Sequence, residues 1–317
     1  MDRKDREGIE RRMGKSSDKR RQVQAFIAIV SSVLFFAGCT SSKRASIPEI
    51  VPLALLDGEC SLYVSIPVSE HRDFVSDMIS KTTGLSSSDA KTVAGRITAL
   101  YAGIGLESDS GHLEIAAPGS YPKIMLSIAF GGNSGWEKKS YTAVSSPEAI
   151  AAGFPNKSDY YLNKSVPYKL AFPTDKLLLV SPAVSPMIER YARRPDGSDM
   201  ECASWINGQS GNDILFYSGK PGFLITGITG GMGENWFSKI YGRISKVKDS
   251  KNGESYLLDC TMEVQSENAK VADSIHKLLT RFVSLPIARQ DDKPGVFEMH
   301  DIPMDKEKIM ELLGTGD

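Results

Sequence analysis

Between residues 255 and 264 the chain alternates. Tyr256, Leu258, Cys260, Met262 and Val264 are apolar, and Asp259, Thr261 and Glu263 fall between them. Alternation of this kind is the period of a strand that buries one face. Asn252-Gly253, just upstream, is the dipeptide of a two-residue type I′ turn, so residues 239–248 are predicted to return as the partner strand. After Ser266 the period changes to 3.6. Val271, Ile275, Leu278, Leu279 and Phe282 recur on one side, which predicts a helix capped by Ser266 and laid across that strand face. A slip of one residue would turn all five apolar strand side chains to water, so the register is strongly specified. A hairpin covered by a helix restricts the chain to α+β arrangements with antiparallel or mixed strands.

The rest of the chain keeps exchanging the two periods. Strands are predicted at 58–67, 97–105, 113–117, 213–218 and 296–301, and a hairpin of 168–172 with 176–180 around Pro173-Thr174-Asp175. Ser69 is read as the cap of a helix with Phe74, Val75, Met78 and Ile79 on its apolar face. Residues 88–96 form a second helix. Ser185-Pro186 opens a third that ends near Arg194, and Asp305 caps a last one through Ile309, Met310, Leu312 and Leu313. Residues 121–130 fit a helix stopped by Gly131-Gly132. Residues 131–166, rich in Gly, Ser, Asn, Lys and Pro, hold one short strand and otherwise loops.

A strand, cap and helix order recurs. Residues 177–180, Ser185-Pro186, Ile188 and Tyr191 are matched by residues 297–301, Asp305, Ile309 and Leu312. The expectation is two weakly similar α+β units, 57–197 and 198–317, each of antiparallel or mixed strands with helices packed on one face. One continuous sheet is the rival arrangement.

The N-terminus has a different character. Residues 1–22 carry nine basic and five acidic side chains, and residues 25–36 are apolar apart from Ser31 and Ser32. A basic region, a short apolar run and small residues before a cut describe a secretory signal. The run is short of the roughly 20 residues of a spanning helix. It ends in Phe36-Ala37-Gly38-Cys39. This ending resembles the lipobox of bacterial lipoproteins, which is Leu, a small residue, Gly or Ala, then Cys. Ala37, Gly38 and Cys39 match it, and Phe36 stands where Leu is usual.

The resemblance implies cleavage between Gly38 and Cys39. Residues 1–38 would be removed, and residues 39–56 would be a lipidated cysteine and tether. Cys39 would carry a diacylglyceryl group and an amide-linked acyl chain such as palmitate. At about 0.8 kcal/mol per buried methylene, two or three chains make dissociation negligible. Thr40, and not Asp, follows the cysteine, which by the same resemblance directs the protein to the outer membrane, facing the periplasm or the surface.

Of the whole chain's net charge of −1, the part after residue 38 carries −5, because the leader carries the excess of basic groups. A mildly acidic body with mixed charges does not fit nucleic acid. With Cys39 lipidated, Cys60, Cys202 and Cys260 remain, an odd number. Cys60 and Cys260 lie in alternating runs and are expected to be buried, unpaired small hydrophobes.

Residues with catalytic potential are scattered. His71, His112, His276 and His300 show no zinc-motif spacing. His71 and His276 are read as solvated on polar helix faces, and His112 as the start of a strand. Asp73 and Asp77 lie one turn apart on a solvated face. Residues 227–233 are glycine-rich but lack a phosphate-loop ending, and read as a flexible connection. No Gly-x-Ser-x-Gly elbow occurs. No metal or cofactor is therefore expected.

The aromatics Trp136, Tyr141, Trp205 and Trp236 fall in segments read as loops and are the candidate binding residues. Together these features describe a lipid-anchored bacterial envelope protein with a non-catalytic binding or assembly role, attached to the membrane through Cys39 and with an envelope protein as its expected partner. The alternatives are an envelope hydrolase with a site assembled from distant residues, and a substrate-binding lipoprotein of a transporter.

Replacing Cys39 with Ser removes the thiol that would take the lipid. The variant is expected to leave the membrane fraction or to accumulate as a longer precursor. Unchanged mass and unchanged detergent partitioning would defeat the assignment.

Overall fold

The structure, a computed structural model, describes residues 51–312 apart from 84–85, 106–111, 132–134, 145–146, 148–149, 151–155, 165–166, 194–198, 230–232, 234, 248–254, 267 and 283–285. The signal segment, Cys39, the tether as far as residue 50 and the Asn252-Gly253 turn lie outside the described residues.

Twelve strands form one sheet in the order β11-β12-β10-β9-β8-β1-β2-β3-β7-β6-β5-β4. They are β1 (Leu62–Pro67), β2 (Ala99–Gly105), β3 (His112–Pro118), β4 (Glu137–Thr142), β5 (Lys157–Leu162), β6 (Lys169–Thr174), β7 (Leu177–Ser181), β8 (Ile214–Ser218), β9 (Phe237–Val247), β10 (Ser255–Val264), β11 (Ala288–Arg289) and β12 (Val296–Asp305). Every neighbouring pair is antiparallel. Strands from 57–197 occupy one half and strands from 198–317 the other. They meet where β1 pairs with β8, Tyr63 opposite Tyr217 and Val64 opposite Phe216.

The helices are shared between the two faces. On one face lie α1 (Arg72–Thr83), α2 (Ser87–Ala94), α6 (Gly222–Thr229), α7 (Ala269–Phe282) and α8 (Lys306–Leu312). The other face carries a 3₁₀ turn, Pro52–Leu55, with α4 (Val184–Arg193) and α5 (Glu201–Gly208). A short helix, α3 (Lys123–Ala129), follows β3. β1 explains the double cover. Leu62, Val64 and Ile66 pack with Phe74, Val75 and Met78 of α1, while Tyr63 points to the opposite layer with Met187, Ile188 and Tyr191 of α4. A strand apolar on both sides must be covered on both sides.

The paired strands and the helix expected at 239–282 are present, but the helix starts at Ala269 and Asn268, not Ser266, caps it, its Oδ1 accepting from the Lys270 amide at 3.0 Å. Tyr256, Cys260 and Met262 are buried, and Ala272, Ile275 and Leu279 of α7 cover the same layer. Val271 and Leu278 stay about 40% and 39% exposed, because the buried stripe follows Ala272, Ile275 and Leu279 instead. Asp305 caps α8 as predicted, its Oδ1 accepting from the Lys308 amide at 2.8 Å. The cap of α2 is Ser86, which accepts from the Asp89 amide at 3.2 Å.

Several elements differ from expectation. Residues 131–166 contain two strands, β4 and β5, where one was expected. β4 is an edge strand whose residues are nearly all exposed, so it carries no apolar alternation to read. Helix α5 was not predicted, and α6 runs from Gly222 into the first residues of the 227–233 segment read as flexible. Leu53, Leu55 and Leu56, at the end of the stretch read as tether, are fully buried beneath α4.

His71 is the clearest correction. It was expected on a solvated helix face and is instead 1% exposed. Its Nε2 lies 2.7 Å from the Asn212 carbonyl, and its ring stacks on Tyr256 at 6.1 Å. The helix starts at Arg72, not directly after Ser69, and the intervening turn carries the ring beneath it. His276 is half-buried, with Nε2 3.1 Å from the Ile287 carbonyl.

The cluster centred on Phe297, Ile275 and Met262 draws all its buried members from residues 225–297. Residues 198–317 expressed alone are therefore expected to melt cooperatively, below the midpoint of the whole body. Phe297→Ala should cost about 3–5 kcal/mol in either form. A fragment with no transition by circular dichroism would show that the β1–β8 seam is needed for any folding of this half.

Candidate functional site

His112 and Glu114 sit two residues apart on β3, so their side chains leave the same face of the sheet. That face is the one covered by the 3₁₀ turn and α4. Glu114 is 1% exposed, an expensive place for a carboxylate without partners. Two donors meet its Oε2: the Arg190 guanidinium of α4, and the Asp57 amide at 2.6 Å. Arg190 also donates through Nε to the Leu55 carbonyl at 2.7 Å, which ties the 3₁₀ turn to α4. The Tyr63 hydroxyl donates to the Asp57 carbonyl at 2.6 Å.

Glu114 Oε1 is different. It is buried and makes no hydrogen bond. His112 Nε2 lies 3.3 Å away, also buried and without hydrogen-bond geometry. Asp57 brings its carboxylate to the same place. One ligand-type atom from each of Asp57, His112 and Glu114 lies within 4.8 Å of the others. Asp57 Oδ1 accepts from the Glu59 amide at 3.0 Å, which holds its side chain in a short turn.

Sequence reading passed over this group. His-x-Glu is a ligand pair only when the segment is a strand, and Asp57 joins it only through the fold of a turn some 55 residues upstream. The remaining candidates lie elsewhere. Asp73 pairs with Lys91 at 3.7 Å, and Asp77 with Lys306. His300 is 57% exposed beside Asp259 and Glu298.

The candidate binding aromatics are dispersed. Trp136 is 9% exposed and packs edge-on against Phe130 at 5.2 Å. Tyr141 lies on β4 and donates to Glu189 of α4 at 2.7 Å. Trp236 is half-buried against the cluster beneath α7. Trp205 sits on α5, half-buried, 5.2 Å from the Tyr241 ring, and Tyr241 stacks on Tyr217 at 6.2 Å.

All three remaining cysteines are buried and free. Burial pushes the Cys60 and Cys260 thiols up to about 12 and Cys202 up to about 11. Thiols held protonated are poor nucleophiles.

The described residues form an α+β body on a wholly antiparallel sheet, with helices on both faces. The family model described as "Outer membrane-associated lipoprotein TP0453" matches residues 48–310, and the chain belongs to that family. It is an outer membrane-associated lipoprotein. No curated protein sequence matches it. Among solved structures, crystal form I of TP0453 is similar with a TM-score of 0.59 and 17% identity, covering 86% of this chain and 100% of that one. Crystal form III gives 0.54 and 18%, over 83% and 98%. Crystal form IV gives 0.53 and 18%, over 84% and 97%. At these identities the likeness shows a shared fold.

Alkylation tests the cysteine environments. At pH 8 the folded protein is expected to react slowly with iodoacetamide at Cys60, Cys202 and Cys260, because raised values leave little thiolate. All three should label rapidly in denaturant. Fast labelling of any one in the native state would contradict its burial.

Proposed function

We propose that this lipoprotein works by binding and not by catalysis, that lipid on Cys39 holds it at the membrane, and that its partner is another envelope protein. The reading is supported by what surrounds the candidate catalytic groups. His71 is a packing residue, the thiols are protonated, and the carboxylates of α1 are engaged with lysines.

The observation that carries the binding role is the sheet face beyond α5. Strand register places Lys239, Tyr241 and Arg243 of β9 opposite Glu263, Thr261 and Asp259 of β10, and Thr261 opposite Glu298 of β12. These side chains share the face on which Trp205 and Tyr241 are half-buried. Among the described residues α5 borders this strip. Arg243 and His300 on it remain 56% and 57% exposed.

Lys239 bridges Glu201 at 2.5 Å and Glu263 at 3.4 Å, and its hydrogen bond holds the Glu201 carboxyl below its ordinary value. Both signs of charge beside half-buried aromatic rings form the anatomy of a protein-binding surface, with an aromatic anchor and a polar rim. A lipid surface would call for one sign of charge instead.

A photo-crosslinking residue at Arg243 in cells should give a discrete adduct with an envelope protein. Trp205→Ala should weaken the adduct, and the same probe at Lys277, on the opposite face, should give none. Identical adducts from both positions, or none from Arg243, would overturn the assignment of this face.

A further inference from the structure

The cluster of Asp57, His112 and Glu114 has the composition and spacing of a metal site. We infer that it binds one divalent transition-metal ion, with Zn²⁺ the best match, through an Asp57 carboxylate oxygen, His112 Nε2 and Glu114 Oε1.

Glu114 carries the argument. A carboxylate 1% exposed has one oxygen satisfied by Arg190 and the Asp57 amide, while the other has no hydrogen bond. Buried acceptors without donors are rare and costly. The atom nearest that oxygen on His112 is itself a buried nitrogen with no hydrogen bond. With Asp57, three ligand-type atoms lie within 4.8 Å of one another, and a cation between them would satisfy all three. One imidazole and two carboxylates suit zinc, with three protein ligands and a position left for water. Calcium and magnesium prefer oxygen-only sets, so imidazole disfavours them. Arg190 on the second oxygen of Glu114 is the outer support that fixes a ligating carboxylate.

The site joins three parts of the fold: the segment after the 3₁₀ turn through Asp57, β3 through His112 and Glu114, and α4 through Arg190. A bound ion fastens the start of the described body, about a dozen residues beyond Cys39, onto the sheet. The metal is then a clamp on the point where the tether enters. This role is independent of the binding face proposed above.

The test uses the mature protein stripped with chelator and titrated with ZnSO₄ by calorimetry, with Co²⁺ absorbance as a second readout. One equivalent should bind, with a rise in melting temperature. Asp57→Asn keeps an oxygen for the Glu59 amide and removes the charge. His112→Ala removes the nitrogen at a half-exposed position. Each should weaken Zn²⁺ binding by roughly tenfold or more, the scale seen even for outer-shell partners. His300→Ala, beside another pair of carboxylates, should leave binding unchanged. Glu114→Gln would test the third ligand, read by Co²⁺ absorbance in case the buried pair with Arg190 destabilises the variant. No saturable Zn²⁺ binding, or equal binding by wild type and both the Asp57 and His112 variants, overturns the site.

Discussion

The double burial of β1 is the constraint on which the rest of this fold depends. Leu62, Val64 and Ile66 face one layer, Tyr63 faces the other, and neither face can be left open. Covering the first face needs α1 and α2 from the same half and α8 from the far end of the chain, whose Ile309 and Met310 are buried beside them. Covering the second needs the 3₁₀ turn and α4. β1 therefore draws both termini of the body toward the middle of the sheet. Its pairing with β8 joins the halves, and the Ser218 hydroxyl donates to the Ser61 carbonyl at 2.6 Å across that seam. Close approach is enforced nearby. A Cβ on Gly103 would lie 2.8 Å from the Cys60 sulfur, so a larger residue there would force the Cys60 side chain to shift.

Within this apolar layer Glu114 is an anomaly that its surroundings only partly resolve. A lone buried carboxylate would be neutralised or expelled. Arg190 and the Asp57 amide keep it in place, and removing one member of a buried pair typically costs about 3–5 kcal/mol because the other charge is left stranded. Hydrophobic residues of similar volume would often serve stability equally well. Stability is thus a weak reason for the pair to exist, and the oxygen without a hydrogen bond facing His112 supplies a stronger one.

How far the sequence could be read followed from how each signal is encoded. The alternation of β10 and the Asp305 cap are local, and both are present in the structure, while the α7 stripe is buried through Ala272, Ile275 and Leu279 and not through Val271 and Leu278. Residues 131–166 were only half legible, because the exposed edge strand β4 has no buried face to imprint a period. α5 was hidden because an eight-residue helix presents only Cys202, Ala203 and Ile206 to the core. His71 misled because a shift of the helix start by a few residues moves a ring from water to the interior. The metal-type cluster was half legible: His-x-Glu on a predicted strand was available at residues 112–114, while Asp57 depends on how a distant turn packs. Trp205 falls in a segment read as loop and lies instead on α5, and its ring neighbours Tyr217 and Tyr241 belong to strands joined only by the sheet.

The two layers also divide labour along the sheet. The face that holds Glu114 and Arg190 in the first half is the same face that presents Arg243, Asp259 and Glu298 in the second, since β-register is carried without a break through β1 and β8. Residues 51–56 therefore lie on the side that bears the polar strip. About a dozen extended residues reach roughly 40 Å, while twelve strands at about 4.8 Å span somewhat more. A segment of that length would reach across less than the width of the sheet, so where it meets the sheet would bear on which part of the body lies nearest the membrane. On the anchorage proposed at Cys39, the length of chain before residue 51 would set how near the protein stays to the bilayer. The start of the described chain is fastened to the sheet at Leu55, Asp57, Glu114 and Arg190.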